Sequence, residues 1–259
     1  MKTNVKVNLG LNVLRRREDG YHDIETLFVP CGVFGDELEI DPSSEFSIEI
    51  TSEAGIVVDW DPMSDLTAKA YRFLKTDFPG IPPVKIRLHK AAPVGAGLGG
   101  GSADAAFALR ELNNMFALGL DETALAHYAS RLGNDCAFFI YNRPMLAEGR
   151  GEILTPCPKE IEEKLADYEI KIIVPQDIHI STALAYKGIV PTIPEISLHE
   201  VLSRPVEQWK DVLHNDFENT VFAAFPELSD IKKEIYSKGA VYAAMSGSGS
   251  AVFGLFKKR

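Results

Sequence analysis

The chain has 259 residues, of which 46% are hydrophobic and 25% charged. These are globular values and exclude disorder, collagen and low-complexity arrays, while the length allows one large domain or two sharing an interface. A net charge of −10 speaks against a broad footprint for nucleic acid or an anionic membrane, so an anionic ligand would be bound by local groups against the protein's own field.

Met1-Lys2-Thr3-Asn4 leads directly into a strand pattern, so no signal peptide is expected. Val5, Val7, Leu9, Leu11 and Val13 alternate with Lys6, Asn8, Gly10 and Asn12, which predicts a strand with one apolar and one polar, solvated face. A charged turn follows at 15–20. Further strands are expected at 24–29, 37–40 and 46–51, so the first 50 residues read as a β-meander. Leu66, Ala70, Phe73 and Leu74 have helical spacing, and Val84, Ile86 and Leu88 alternate as a strand. A glycine-rich loop over 93–101 runs into a helix with Ala105, Ala106, Leu109, Leu112 and Phe116 on one side. A second helix is expected over 121–132, stopped by Gly133, and 136–141 reads as a buried strand. Glu148-Gly149-Arg150-Gly151 suggests a boundary, giving domains 1–150 and 151–259. Beyond it come a strand at 170–174 and helices at 217–225 and 227–238, broken at Pro226. The chain closes as strand, Ser/Gly loop, strand over 241–256, too interrupted for a membrane span. Strands and helices mix without strict alternation, which favours an α+β fold over a doubly wound sheet. Cys31, Cys136 and Cys157 are odd in number and lack a C-x-x-C pair, so reduced, buried thiols in a cytoplasmic protein are expected rather than a disulfide framework or a zinc site.

The most specific local feature is Pro93-Val94-Gly95-Ala96-Gly97-Leu98-Gly99-Gly100-Gly101-Ser102-Ala103. Glycines let the backbone approach a ligand and aim several N–H groups inward, and the helix behind adds unpaired N–H groups and the positive end of its dipole. This suits phosphate. Ser102 could cap the helix, ligate a metal ion, or both. The stretch lacks the G-K-[ST] ending of a Walker loop, and its G-x-G-x-x-G match is the kind a glycine tract produces by chance. Asp135, in Gly133-Asn134-Asp135, could be a general base, a metal ligand, or a turn or capping aspartate. Lys6 with Asn8, taken alone, reads as a solvated strand face. Asp19-Gly20-Tyr21-His22 reads as a hairpin turn, and Ser246-Gly247-Ser248-Gly249-Ser250 as either a second anion-contacting loop or a plain connection.

The order of these pieces resembles the GHMP small-molecule kinases, with an N-terminal strand motif at Lys6 to Leu11, a P-x-x-x-G-L-x-x-[GS]-S-[AS] loop at Pro93 to Ala103, and a C-terminal glycine motif at Met245 to Ala251. The match is closer to the branch acting on a cytidine-diphosphate-linked methylerythritol in the non-mevalonate isoprenoid route. It is carried by Asp19-Gly20-Tyr21-His22, Leu132-Gly133-x-Asp135, Ala147-Glu148-Gly149-x-Gly151-Glu152, Ser181-Thr182 and Asn215-Asp216-Phe217-Glu218. The resemblance implies two α+β domains, the first with a left-handed βαβ unit and the second ferredoxin-like, with the active site in the cleft between them. It implies transfer of the ATP γ-phosphoryl group to a hydroxyl, with Mg²⁺. It assigns Lys6 and Asp135 as the catalytic pair, 93–103 as the phosphate loop, and Lys90 and Asp65 as nucleotide-site residues. Ser102 would be a metal-ligating hydroxyl. Asn8 would orient the substrate, Tyr21 would stack on cytosine, His22 would hydrogen-bond it, and Tyr186, four residues after Thr182, would supply a second flat face. Asp65 departs from the asparagine common near the adenine, and Asp104 would repel a bare triphosphate. No nucleic-acid or membrane partner is implied, and the chain would act as a monomer or weak homodimer. Other GHMP kinases, acting on homoserine, mevalonate or a sugar, and a non-catalytic sensor of the same fold are the competing readings.

Overall fold

A computed structural model gives the conformation of residues 1–258. Among these, the strands in chain order are β1 (Val5–Arg16), β2 (His22–Cys31), β3 (Glu37–Pro42), β4 (Ser47–Ser52), β5 (Val84–Lys90), β6 (Met145–Glu148), β7 (Ile153–Pro156), β8 (Tyr168–Ile173), β9 (Tyr242–Met245) and β10 (Val252–Lys257). They form three sheets, ordered β1-β2-β6-β7, β3-β5-β4 and β8-β10-β9. The residues pack into two units. One comprises Met1–Val5, Phe34–Val94 and Gly99–Arg143; the other comprises Lys6–Val33, Gly95–Leu98 and everything from Pro144 onward. The sequence boundary at 150 is linear, whereas these units interleave. The reason lies in hydrogen bonding: Thr3 N donates to Asp36 O at 2.8 Å and Leu38 N to Met1 O at 2.9 Å, whereas Lys6 N donates to Leu98 O at 2.9 Å.

In the first unit β5 is central, antiparallel to β3 and parallel to β4. The parallel pair is joined through the Leu66–Asp77 helix, as a parallel connection requires. The expected meander is therefore incorrect beyond β2. The alternation of Val84, Ile86 and Leu88 makes β5 the strand that buries one face, and β3 and β4 add to its edges rather than to β2. The Gly100–Met115 helix packs against β3 of this sheet and against the Leu66–Asp77 helix; its Ala105, Leu109 and Leu112 are buried, as are Ala70 and Leu74 of the latter. Each fully buried Leu or Ile contributes about 1.5–3 kcal/mol. Residues 136–141 are a helix, Cys136–Tyr141, and not the expected strand. Six consecutive apolar residues carry no period, and this segment is buried on nearly all sides against the Gly100–Met115 and Glu122–Ser130 helices.

In the second unit β10 lies between β8 and β9, antiparallel to both. The Phe217–Ala224 and Pro226–Ser237 helices flank it, with Pro226 at the first helical position, where its missing N–H costs nothing. Leu11, Val13 and Ile24 share one core with Val221, Leu228, Ile235, Ala243 and Val252. Four short helices escape the sequence patterns: Lys159–Leu165, Thr182–Lys187, Leu198–Ser203 and Val206–Val212. The three cysteines are unpaired and buried. Burial pushes the Cys136 and Cys157 thiols each up to about 12. Among the described residues no helix is long and apolar enough to cross a membrane.

Candidate active site

The polar side of β1 is buried, contrary to the solvated face the alternation suggested. Lys6 is 3% and Asn8 1% exposed. A buried ammonium requires compensating partners. The Lys6 ammonium donates to Asn8 Oδ1 at 2.6 Å and lies 4.9 Å from the centre of the Phe28 ring. Asn8 Nδ2 in turn donates to Thr26 Oγ1 at 3.1 Å. Lysine and asparagine are thus held rigidly by neighbouring strands of one sheet.

The first half of the glycine loop, Gly95–Leu98, is clipped to the same unit. Leu98 O accepts from Lys6 N, Ala96 O from Ala251 N at 3.1 Å, and Gly97 O from the Ser246 hydroxyl at 3.0 Å. Ser246 also faces Asn8 Oδ1 at 3.4 Å. Gly97 has φ +77°, and a Cβ there would stand 2.1 Å from Ser246 O. Only glycine fits. The Ser/Gly segment 246–250 is therefore the seat of the glycine loop. It is itself fixed by Asn215, whose Nδ2 donates to Met245 O at 2.8 Å and Gly247 O at 2.9 Å. Glu218 accepts from Met245 N at 2.8 Å and pairs with Lys232 at 2.6 Å. Asn215 and Glu218 thus owe their place in the motif to loop support.

The second half of the loop starts the Gly100–Met115 helix in the first unit. Gly99 is the N-cap, left-handed at φ 73°, with no side-chain cap bond. Ser102 is therefore not the N-cap: it lies inside the first turn, and Ala103 N makes the helical bond to Gly99 O at 2.9 Å. An uncapped helix start offers its first N–H groups to an anion. A Cβ on Gly133 would stand 3.2 Å from the Cys136 sulfur and 4.0 Å from Ser102 Oγ. The Gly133–Cys136 turn thus packs against the start of the loop helix. Asp135 occupies the N-cap position of Cys136–Tyr141 with helical backbone angles, and its carboxylate makes no capping bond. The capping role left open by the sequence is therefore excluded.

Lys90 is buried, with its ammonium between Asp36 and Asp104. Asp104 consequently does not stand as an open charge facing a triphosphate. Asp65 caps the Leu66–Asp77 helix, accepting from Thr67 N at 2.8 Å and Trp60 Nε1 at 3.1 Å. Pro93 is half-buried, Val94 exposed, and Gly101 exposed at the helix start.

The expected base-binding residues fall in the second unit. His22 stacks on Tyr186, with ring centres 4.5 Å apart at 18°, and Tyr186 meets the Phe217 ring edge-on. Burial and the nearby Arg16 charge hold the His22 pKa below the ordinary imidazole value. Thr182 opens the Thr182–Lys187 helix, which places Tyr186 one turn further along. Tyr21 is exposed and carries the Arg150 guanidinium over its ring at 5.1 Å. The flat platform is therefore His22 on Tyr186. Thr3, Asp36, Asn215 and Glu218 were not singled out from their own chemistry; of these, Asn215 and Glu218 carried a signal only as part of a motif run.

Family models describing the GHMP kinases N terminal domain and the GHMP kinases C terminal match residues 65–143 and 197–259, together more than half the chain. The chain is 48% identical to the 4-diphosphocytidyl-2-C-methyl-D-erythritol kinase of Bacteroides fragilis, over 98% of this chain and 90% of the relative. A crystal structure of 4-(cytidine 5'-diphospho)-2C-methyl-D-erythritol kinase superposes with a TM-score of 0.79 at 32% identity, covering 98% of this chain and 89% of the other. A mevalonate kinase superposes with a TM-score of 0.67 at 14% identity, covering 99% of this chain and 91% of the other, a likeness of fold alone.

Proposed function

We infer the reaction from one premise: the chain belongs to the 4-diphosphocytidyl-2-C-methyl-D-erythritol kinases, a branch of the GHMP kinase family. It is an ATP-dependent kinase of the non-mevalonate isoprenoid route, and its small-molecule acceptor is the cytidine-diphosphate-linked methylerythritol. The acceptor atom in this proposal is the 2-hydroxyl. A sugar-type hydroxyl is a weak nucleophile, so a carboxylate within reach must take its proton; Asp135 has this role. Lys6, positioned by Asn8 and the Phe28 ring, stabilises negative charge developing on the transferred phosphoryl group. Asn8 holds Lys6 and orients the acceptor. The loop 93–103 binds the triphosphate through backbone N–H groups, and Asp65 lies in the adenine region. His22, Tyr186 and Tyr21 bind the cytosine through stacking and edge contacts, with Thr182 beside them.

Mg²⁺ supplies charge neutralisation on the phosphates when bound. Among the described residues no cluster of three His, Cys, Asp or Glu side chains is placed to hold a metal ion. An ion held mainly by phosphate oxygens and water needs few protein oxygens. The Ser102 hydroxyl is a hard oxygen at the helix start and would supply one. With unpaired, buried thiols, the enzyme fits a reducing cytoplasm, and we propose that it acts there as a monomer or weak homodimer.

The observation that carries this reading is the uncapped, glycine-built helix start with Gly97 locked against Ser246. The test is ADP release with ATP, Mg²⁺ and the cytidine substrate, compared with homoserine and mevalonate. Turnover of either alternative in place of the cytidine compound overturns the substrate assignment. Nucleotide binding with no turnover of any of them favours a sensor.

A further inference from the structure

Beneath the glycine loop lies a buried ionic cluster that the reaction chemistry does not use. Lys90 ends β5 and is 2% exposed, and its ammonium pairs with Asp36 and, at 2.6 Å, with Asp104. Asp36 Oδ1 also accepts from Ala91 N and Ala92 N, each at 2.7 Å, the two residues that lead into Pro93. Asp104 lies beyond the loop, in the first turns of its helix, and accepts from the Thr3 hydroxyl at 3.0 Å. The same hydroxyl accepts from Asp36 N at 3.0 Å. A Cβ on Gly100 would stand 3.6 Å from Asp36 Oδ2 and 4.0 Å from Lys90 Nζ, so the cluster sits directly under the first helical residue of the loop.

We propose that Thr3, Asp36, Lys90 and Asp104 are positioning residues for the nucleotide phosphates. They tie the entry of the glycine loop to its exit, and Lys90 acts on the triphosphate through its two carboxylates rather than by touching it. The proposal rests on the reading of 93–103 as the phosphate loop. The physical case is one of preorganisation. Gly95, Gly97 and Gly99 all have positive φ, and a glycine tract left to itself samples many conformations. Its N–H groups bind an anion well only if their ordering is complete before the ligand arrives. The helix start has no side-chain cap to order it; the cluster holds both flanks instead. Two carboxylates face one ammonium in a space closed to water, and burial pushes Asp104 up to about 7. A retained proton brings the cluster towards neutrality, which lets it persist as a rigid strut.

Steady-state kinetics on the full chain test this, varying ATP and the cytidine substrate separately for Thr3→Val, Thr3→Ser, Asp104→Asn, Lys90→Met and Gly97→Ala. Thr3→Val is the primary variant, since it deletes one hydroxyl and leaves every charge paired. Thr3→Val and Asp104→Asn are expected to raise the KM for ATP roughly 5- to 20-fold. The KM for the cytidine substrate should stay within about twofold, and Thr3→Ser should restore the ATP value. A rise with Lys90→Met alone, Thr3→Val being normal, would mean that Lys90 touches the nucleotide and overturns the proposal. A uniform loss of kcat and both affinities, tracking a lower Tm, reduces the cluster to general stability and overturns it as well. Gly97→Ala separates the two levels. If it leaves ATP binding intact, the phosphate-loop reading itself fails; if it weakens ATP binding while Thr3→Val does not, only the strut fails.

Discussion

Replacing Gly97 with alanine probes the loop at its tightest point. A side chain at φ +77° costs about 1–2 kcal/mol in backbone strain. The new methyl would meet Ser246 O at 2.1 Å, against ordinary contact from 3.4 Å, so loop and seat must part by about 1.3 Å. That separation breaks the 3.0 Å bond from Ser246 to Gly97 O and the 3.1 Å bond from Ala251 to Ala96 O, each worth about 0.5–1.5 kcal/mol net. The strain and the two bonds together come to about 2–5 kcal/mol. In the free variant the loop relaxes away from its bound shape, and ATP must force it back. The lower figure alone therefore predicts a KM for ATP about 30-fold higher. Calorimetric titration with a non-hydrolysable ATP analogue, beside steady-state kinetics, reads the effect. Gly80→Ala is the control, since its Cβ would meet nothing within 4 Å and no positive φ is involved. An ATP affinity for Gly97→Ala within twofold of the parent would refute the argument that this glycine sets the loop.

Lys6→Met and Asp135→Asn should each lower kcat by about 10²–10⁴ while nucleotide binding, followed by calorimetry, is largely kept; near-normal turnover in either removes that residue from the chemistry. Asn215→Ala strips the carbonyls of Met245 and Gly247 of a buried donor, costing about 1–3 kcal/mol and lowering Tm by about 2–12 °C; an unchanged melting curve would show that the loop seat holds without it. Stability should also depend on Asp104. Its folded-state pKa of about 7 lies above the ordinary 3.8, so between those values the folded chain binds the extra proton and the unfolded chain does not. Its contribution to unfolding free energy therefore falls as pH rises through that window. Urea denaturation at pH 5 and pH 8 should show a smaller difference for Asp104→Asn than for the parent, and an equal difference would refute the assignment.

What could be read from the amino-acid order was local and periodic. The alternation along β1 and β5, the break at Pro226 and the closing strand-loop-strand all appear where the residue pattern placed them. What could not be read was partnership. Nothing in Phe46 to Thr51 says that the strand there will lie parallel to β5 instead of beside β3, because parallel pairing is decided by a helix packing between distant segments. Lys6 looked solvated because charge on an alternating strand usually is; Phe28 and Asn8 arrive from the fold to bury it. The 136–141 run had no period to betray its helix. Lys90 was found by its place before the loop, yet its two carboxylate partners lie 54 and 14 residues away. Asp36 offered no local signature at all.

The long-range bonds of β1 bear on how the enzyme is made. Val13 N is satisfied by Asp216, 203 residues downstream, and Asn8 faces Ser246, 238 residues downstream. While the ribosome is still extending the chain, the segment that carries Lys6 emerges more than 200 residues before these partners and waits for them. Such distant pairings close slowly and leave apolar strand surface uncovered in the meantime. A nascent molecule of this protein therefore remains without its finished glycine-loop seat, and exposed to self-association, until translation has passed residue 246.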